Sequence, residues 1–571
     1  MNYFLILSFF WFIRIIKAVL FWLYLWQLKE YHLGRFIDHF RTEKGKKLLF
    51  NTLILLKVFF LLLIIYSYVL SNNPPTDSWL GVFAFSLSGL FFIYTIEAIK
   101  SVRDFIQKTI IRPIFTKKII LLYSVSIAII ILFFYFIIRG ELDILLSLVL
   151  FDLFLPLIIS IIVLLFQPLA VLGRNRLIKK AKKKREEFKN LLAIGITGSY
   201  GKTSTKEILY TILAEKFGEN KVLKTKEHQN SEVGVSQCIL NDLKPEHEIF
   251  VCEMASYNRG GIKLLCDIAK PKIGILTGIN EQHMSTQGSQ ENIIKTKYEL
   301  IEKLPEDGLA IFNGENFYCF ELYQKAHCSH TAKIKKIICS INKFLGENFL
   351  LQSDFWAEDL KIEKESLFFK IFSKTSKNMA LPSTQWNPED SADFKVNLLG
   401  GQNVENILLA TACAKELGMS FKEISLACEK IKAGQGAMKL IKNKEGLNIL
   451  DSTYSANPNG VLSHLEYLKI WEGKKIIVMP CLIELGKASK DVHRRIGQKI
   501  GEVCDLAIIT TKERFRDLQE SAIGKGMNKE NILLIENPKK IFEKVKSFCK
   551  PEDAILLESR VPQALIEMLV K

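Results

Sequence analysis

LLAIGITGSYGKTSTKEIL, residues 191–209, decides how this chain is read. Leu191 to Ile196 is an apolar run with strand character, Gly198 to Ser204 is a loop of glycines, hydroxyls and one lysine, and Thr203 to Phe217 reads as a helix. A strand, a glycine-bearing loop and a helix in that order build a phosphate cradle. The backbone N–H groups of the loop face the anion, and the helix N-terminus adds partial positive charge. The expected nucleotide-binding residues are Thr197, Gly198, Ser199, Tyr200, Gly201, Lys202, Thr203 and Ser204. Lys202 neutralises the terminal phosphates in this reading, and the Thr203 hydroxyl reaches magnesium. The first glycine of the usual G-x-x-x-x-G-K-[ST] pattern falls at Ile196, so the loop reads T-G-x-x-G-K-T-S.

What precedes the loop is built for lipid. Five runs, roughly 3–26, 48–70, 78–99, 119–138 and 144–170, are long and apolar enough to span a bilayer. The first is too long, and the later ones too many, for a cleaved signal peptide. Lys29 to Lys47, Lys100 to Lys118 and Arg174 to Lys189 are basic clusters, whereas the loop at 71–77 (SNNPPTD) has no Lys or Arg and the turn at 139–143 has only Arg139. The positive-inside rule then puts the N-terminus outside and everything after the fifth span in the cytoplasm. Arg14, Lys17, Lys57 and Asp152 fall inside the spans. Lys17 and Lys57, each nine residues from a cytoplasmic end, either snorkel to the interface or mark a misplaced span boundary, or else form a basic intramembrane pocket for a lipid phosphate or pyrophosphate. The segment 174–189, RNRLIKKAKKKREEFK, reads as a solvated linker helix lying on anionic head groups.

The formal charge of +17 belongs largely to these membrane-flanking clusters, so membrane topology explains it better than nucleic acid does. All 11 cysteines lie between Cys238 and Cys549 with no Cys-x-x-Cys spacing, which fits reduced thiols in the cytosol and gives a zinc site no support.

Downstream, Thr225 to Gly234 is TKEHQNSEVG, Val251 to Met254 ends an apolar strand in Glu253, and Ile273 to Asn280 runs as a further strand towards His283. Lys297 follows on the next helix, and Gly400 to Asn406 (GGQNVEN) opens another. Taken with the T-G-x-x-G-K-T-S loop, these resemble the Mur ligases, the ATP-dependent amide-forming enzymes of peptidoglycan synthesis. Asp451 to Pro458 (DSTYSANP) and Glu484-Leu485-Gly486 with His493 and Gly497 resemble the branch of that family that adds D-alanyl-D-alanine.

The resemblance implies roles. Thr203, Glu253, His283 and Lys297 are the implied metal and phosphate constellation, with Lys297 matching a lysine the family carbamylates, and Lys202, Glu253, His283 and Lys297 the implied catalytic set. Asn403 and Asn406 match residues that contact adenine, and Gln402 stands where histidine is usual. Asp451 joins the nucleotide-binding set, and Asn230, Tyr454 and Asn457 are the implied substrate residues. The implied cofactors are ATP and Mg2+. The implied partners are a muramyl-tripeptide precursor and D-Ala-D-Ala, with the lipid bilayer and other cell-wall synthesis proteins beside them and no nucleic acid.

Four departures stand out. Ser452 replaces a second aspartate, Ala437 falls at a phosphate-contacting arginine, Pro480-Cys481 replaces Gly-Asp, and Leu557-Glu558-Ser559-Arg560 replaces Lys-Gly-Ser-Arg. Either Lys439 or another base compensates for the arginine, or the chain is a divergent branch. The expected architecture is multi-domain: a helical transmembrane region at 1–173 and a basic linker at 174–190, followed by an α/β ATP-binding domain at 191–432 and an α/β Rossmann-like domain at 433–571. The ATP-binding domain includes a strand-rich excursion near 320–395. Spans occupy the place of the family's soluble N-terminal domain, which leaves three readings open: a membrane-anchored ligase making the muramyl pentapeptide, a relative acting on a lipid-linked or polyglutamate-type substrate, or a catalytically impaired membrane scaffold.

Overall fold

Apolar side chains facing outwards separate the first part of the chain from the rest. Among the described large apolar residues that stay exposed, only seven lie beyond Leu172. The computed structural model describes residues 2–40, 42–71, 78–140, 143–227, 229–327, 331–345, 351–374, 391–432, 434, 437–454 and 456–570. Most of the 71–77 loop, part of the 139–143 turn, stretches of the 320–395 excursion, and His228, Gln435, Gly436 and Ser455 of the quoted motifs lie outside the described residues. The chain divides into two units, residues 1–175 and 176–571.

The first unit is helical: α1 (Asn2–Leu28), α2 (Leu33–His39), α3 (Glu43–Leu49), α4 (Thr52–Ser71), α5 (Ser78–Ile106), α6 (Lys117–Ile138), α7 (Ile144–Leu165) and the start of α8 (Gln167–Glu187). Five helical stretches are long and apolar enough to cross a membrane, the third reaching Ile106 and the fifth continuing through α8. Their core is mostly Leu, Ile and Val, with a few large aromatics among them. Trp11 and Trp26 are fully buried, and each indole N–H finds an acceptor, Leu148 O at 2.8 Å and Ser160 Oγ at 3.1 Å, as a buried indole requires.

The charged residues of these helices pair with one another across the bundle. Lys57, 1% exposed, donates to Glu97 Oε2 at 2.6 Å and to Asp152 Oδ2 at 2.7 Å. Arg14 contacts Asp152 and sits 3.5 Å from Glu97 Oε2, Tyr94 donates to Asp152 at 3.2 Å, and Lys17 pairs with Asp104 at 2.6 Å. Glu97 is the carboxylate that a census of Arg14, Lys17, Lys57 and Asp152 omits. An unpaired charge in hydrocarbon costs several kcal/mol, so cations and carboxylates close on one another instead of waiting for a lipid phosphate.

In the second unit β1 (Leu192–Thr197) lies between β3 (Ile249–Glu253) and β4 (Ile273–Leu276). With β2 (Val222–Lys224), β5 (Leu309–Asn313), β6 (Lys335–Ser340), β9 (Phe355–Ile362), β10 (Leu367–Ser373) and β11 (Ser391–Val396) they form a nine-stranded sheet ordered β11-β10-β9-β6-β5-β4-β1-β3-β2. Strands β7 (Phe344–Leu345) and β8 (Leu351–Gln352) make a small hairpin. The excursion thus joins the central sheet, its last two pairings antiparallel. Of the expected 273–280 strand only Ile273–Leu276 is strand, since its partner β1 ends at Thr197 opposite Leu276; beyond it Thr277 and Asn280 make loop contacts.

A second sheet, ordered β12-β13-β17-β14-β15-β16, is parallel except for β12 against β13. Its strands are β12 (Lys439–Lys442), β13 (Asn448–Ser452), β14 (Lys475–Met479), β15 (Leu506–Ile509), β16 (Ile532–Leu534) and β17 (Ala554–Glu558). Apolar clusters cover both faces of each sheet, the layering that buries parallel strands. The ten described cysteines are all free.

Candidate active site

β1 is buried and delivers its carboxyl end to the loop that starts α9 (Lys202–Phe217). Gly201 turns the chain with φ 78°, and a Cβ there would lie 2.6 Å from Asn406 Oδ1, so a side chain is excluded on both counts. Lys202 folds over the loop and donates to Gly198 O at 2.8 Å and Ser199 O at 3.2 Å. Burial pushes its ammonium below the ordinary lysine range, against the opposing charge of Glu253.

Parallel pairing of β1 with β3 sets Glu253 beside this loop. Thr203 donates to Glu253 Oε2 at 3.0 Å and Asn230 to Oε1 at 3.0 Å, while the fully buried Lys206 stands 3.3 Å from Oε2. Burial works to raise the Glu253 carboxyl, but Lys206 and then Lys202 outweigh it, and the group lies below the usual glutamate range. It is therefore an anion. A hydroxyl and an ionised carboxylate in contact fit magnesium, which takes few protein oxygens and completes its octahedron with water and phosphate. No cluster of three or more His, Cys, Asp or Glu that could hold a metal ion occurs among the described residues.

The other expected residues have these places. Lys297, on the helix Gln290–Glu302, is 3% exposed and pushed down to about 7, by burial first and then by the charge of Lys202. His283 has left-handed backbone (φ 67°), and its Nδ1 lies 2.7 Å from Glu484 Oε2 of the C-terminal domain. Burial lowers its pKa, Glu484 opposes that, and Lys297 and Lys202 add to the lowering. Asn406 Oδ1 accepts from Thr205 at 3.1 Å, and Asn403 donates to Leu399 O at 2.9 Å, closing the turn that opens its helix. Asp451 accepts from the Thr453 N–H and hydroxyl. Tyr454 is 44% exposed, its phenol raised by burial and by Glu227 and Glu253. Asn457 caps the helix Pro458–Leu468 and accepts from Asn280 at 3.1 Å.

Two sets of residues emerge that sequence reasoning left out of the site. Lys206 is one, and its signal was a second lysine one turn after the first. The other lies across the domain boundary: Asn280 also donates to Asn459 at 2.9 Å, Glu281 pairs with Arg495, and the Ser285 N–H donates to Glu484 O at 3.2 Å. Gly486 approaches so closely that a Cβ would sit 3.1 Å from Ser285 N. The Glu-Leu-Gly signature is thus a domain contact, while His493 Nε2 accepts from the Leu482 N–H at 3.0 Å to hold the signature's own loop.

Two departures meet as well. Ser452 lies opposite Glu558 in the β13–β17 register, and both reach His464, whose Nδ1 is 3.1 Å from Ser452 Oγ and 2.7 Å from Glu558 Oε2. A carboxylate missing at 452 is present on the neighbouring strand. Lys439 stands opposite Asp451 on the edge strand β12, with its side chain exposed. Nothing in the structure explains Ala437.

A phosphate loop on the central sheet, facing a second α/β domain through paired residues, suits a ligase that uses ATP on one domain and meets its second substrate from the other. Residues 196–414 match the Mur ligase middle domain and residues 438–560 the Mur ligase glutamate ligase domain. The chain belongs to the Mur ligase family. It is 27% identical over 379 residues to the UDP-N-acetylmuramoyl-tripeptide–D-alanyl-D-alanine ligase of Bacillus subtilis, covering 66% of this chain and 74% of that one. Against the ligase of the same name from Synechocystis it is 27% identical over 368 residues, covering 64% and 71%. Among solved structures, MurF of Thermotoga maritima in complex with ADP superposes with a TM-score of 0.55 at 25% identity, covering 69% of this chain and 83% of that one. MurF of Acinetobacter baumannii gives 0.58 at 22% identity over 70% and 80%, a likeness of fold.

Proposed function

We propose that this chain is a membrane-anchored ATP-dependent ligase that joins D-alanyl-D-alanine to a muramyl tripeptide, with its N-terminus outside and its catalytic half in the cytoplasm. The observation that carries the reading is the ionised Glu253 held by Thr203, Asn230 and Lys206 at the mouth of the phosphate loop, in a chain whose relatives are named for that reaction.

In this reading a substrate carboxylate attacks the γ-phosphate of ATP in line, and the resulting acyl phosphate is opened by the amine of the dipeptide, leaving an amide and phosphate. Lys202 leaves the loop carbonyls for the terminal phosphates and, with the loop N–H groups, supplies a preorganised positive field. Thr203 and Glu253 would hold magnesium, which lends charge stabilisation to the transferring phosphoryl group. Lys297, near pKa 7, has a large neutral fraction at physiological pH; a neutral amine is what carbon dioxide needs to form a carbamate, so the family's modification is chemically accessible here. Asn403, Asn406 and Asp451 are assigned to the nucleotide, and Asn230, Tyr454 and Asn457 to the substrates. The contacts of Asn280, Glu281 and His283 with the C-terminal domain supply the closure that brings amine to carbonyl.

The test is amide formation by the reconstituted full chain with ATP and magnesium, offering D-Ala-D-Ala with either UDP-muramyl tripeptide or a lipid-linked tripeptide. Product from the nucleotide-linked form is expected. Product from the lipid-linked form alone would move the substrate assignment, and none from either would overturn the reading.

A further inference from the structure

Helix α8 has two faces with different fates. From residue 176 onwards one face is built into the ATPase domain: Ile178 and Ala181 are buried in its core. Arg185 donates to Ala269 O at 2.8 Å, Phe188 O at 2.7 Å and Leu191 O at 2.9 Å. Lys184 donates to Leu240 O at 3.1 Å and Leu243 O at 2.7 Å. The opposite face carries Arg176, Lys179, Lys180 and Lys183, all exposed, and none of the four has an ion pair among the described residues. At 3.6 residues per turn these positions fall within an arc of about 100° and make one cationic stripe roughly 10 Å long. Of the acids at the end of the helix, Glu186 is taken by Lys270 at 3.0 Å, and Glu187, at i+4 from Lys183 on the same face, makes no ion pair with it among the described residues, so four cations face at most one acid.

The same helix approaches this stripe through apolar residues that face outwards: Leu169 is 59% exposed and Leu172 is 55% exposed. Arg176 lies four positions beyond Leu172 on the same helix, about 6 Å of helical rise, so apolar surface passes directly into cationic surface. We propose that Arg176, Lys179, Lys180 and Lys183 dock on anionic lipid head groups, so that α8 grips the bilayer surface with one face and the core of the ATPase domain with the other. This rests on the membrane reading given under Proposed function. The charge of the stripe matches that of anionic lipid, and the exposed apolar turn beside it matches the acyl boundary. A soluble acidic partner would need only the first of these.

The test is lysine footprinting of the full chain in nanodiscs, comparing phosphatidylcholine alone with the same lipid containing about 30% phosphatidylglycerol. Labelling of Lys179, Lys180 and Lys183 by an amine-reactive ester, read by mass spectrometry, should fall about threefold or more in the anionic discs. It should recover in about 0.5 M salt, where screening cuts the reach of charge to a few ångströms. Exposed Lys422 and Lys539 should label equally in both. Carrying Arg176→Gln and Lys183→Gln together should weaken the protection of Lys179 and Lys180 without changing thermal stability. Equal labelling in the two discs, with the protein resisting carbonate extraction, overturns this inference and leaves the membrane reading standing. Release by carbonate overturns the membrane reading itself.

Discussion

Buried charge is handled in opposite ways in the two halves of this chain. Among the helices of the first unit, Arg14 and Lys57 meet Glu97 and Asp152, and the cluster balances itself. At the phosphate loop, by contrast, Lys202 feels both the carboxylate of Glu253 and the ammonium of Lys297, while Lys206 presses on the same carboxylate from the other side. Balanced charge is a packing solution, because nothing further has to arrive. A surplus of cations at the N-terminus of α9 is paid for in desolvation and is useful only when an anion such as a nucleotide phosphate comes to it.

The contrast can be broken most severely in the membrane half. Asp152→Leu leaves Lys57 and Arg14 with Glu97 alone, and stripping one partner from a buried pair costs about 3–5 kcal/mol; thermal unfolding in detergent should show it, and adding Lys57→Met should recover much of the loss. In the catalytic half, Lys202→Ala should leave unfolding nearly unchanged but lower the rate of phosphate release about a hundred- to a thousandfold, the scale of losing one preorganised electrostatic group.

Lys297 offers a subtler probe. With its folded pKa near 7, below the unfolded value, it takes up a proton on unfolding between the two. Stability should therefore rise as the pH climbs from about 7 towards 10, the penalty being fully present below 7. In carbon-dioxide-free buffer, Lys297→Met should flatten that part of the Tm profile; a variant that tracks the parent would refute the buried-ammonium picture. The smallest effect is expected at the domain contact: Glu484→Gln weakens one hydrogen bond to His283, so kcat/KM should drop about fivefold, roughly 1 kcal/mol, with Tm hardly moved.

These probes also separate what was legible in the chain from what was not. The phosphate loop could be read because strand, loop and helix lie within some twenty consecutive residues, and β1 begins one residue later than expected, at Leu192. Glu253 could be read from the end of an apolar run. The partners of Lys57 could not, since Glu97 and Asp152 lie 40 and 95 residues away and nothing local announces them. Ser452 and Glu558 look like two unrelated departures until β13 and β17 pair and His464 bridges them. For His283 the resemblance implies a metal role, and only the fold adds that its Nδ1 meets Glu484 of the other domain.

The sequence by itself determined the apolar helices, the phosphate loop and the two α/β domains, because hydrophobic period, glycine placement and helix-start chemistry act over a few turns of chain. Only the tertiary structure decided which charges cancel and which remain in surplus, because that depends on helices and strands far apart in sequence arriving side by side in a low-dielectric interior, where distance and pairing set the energy.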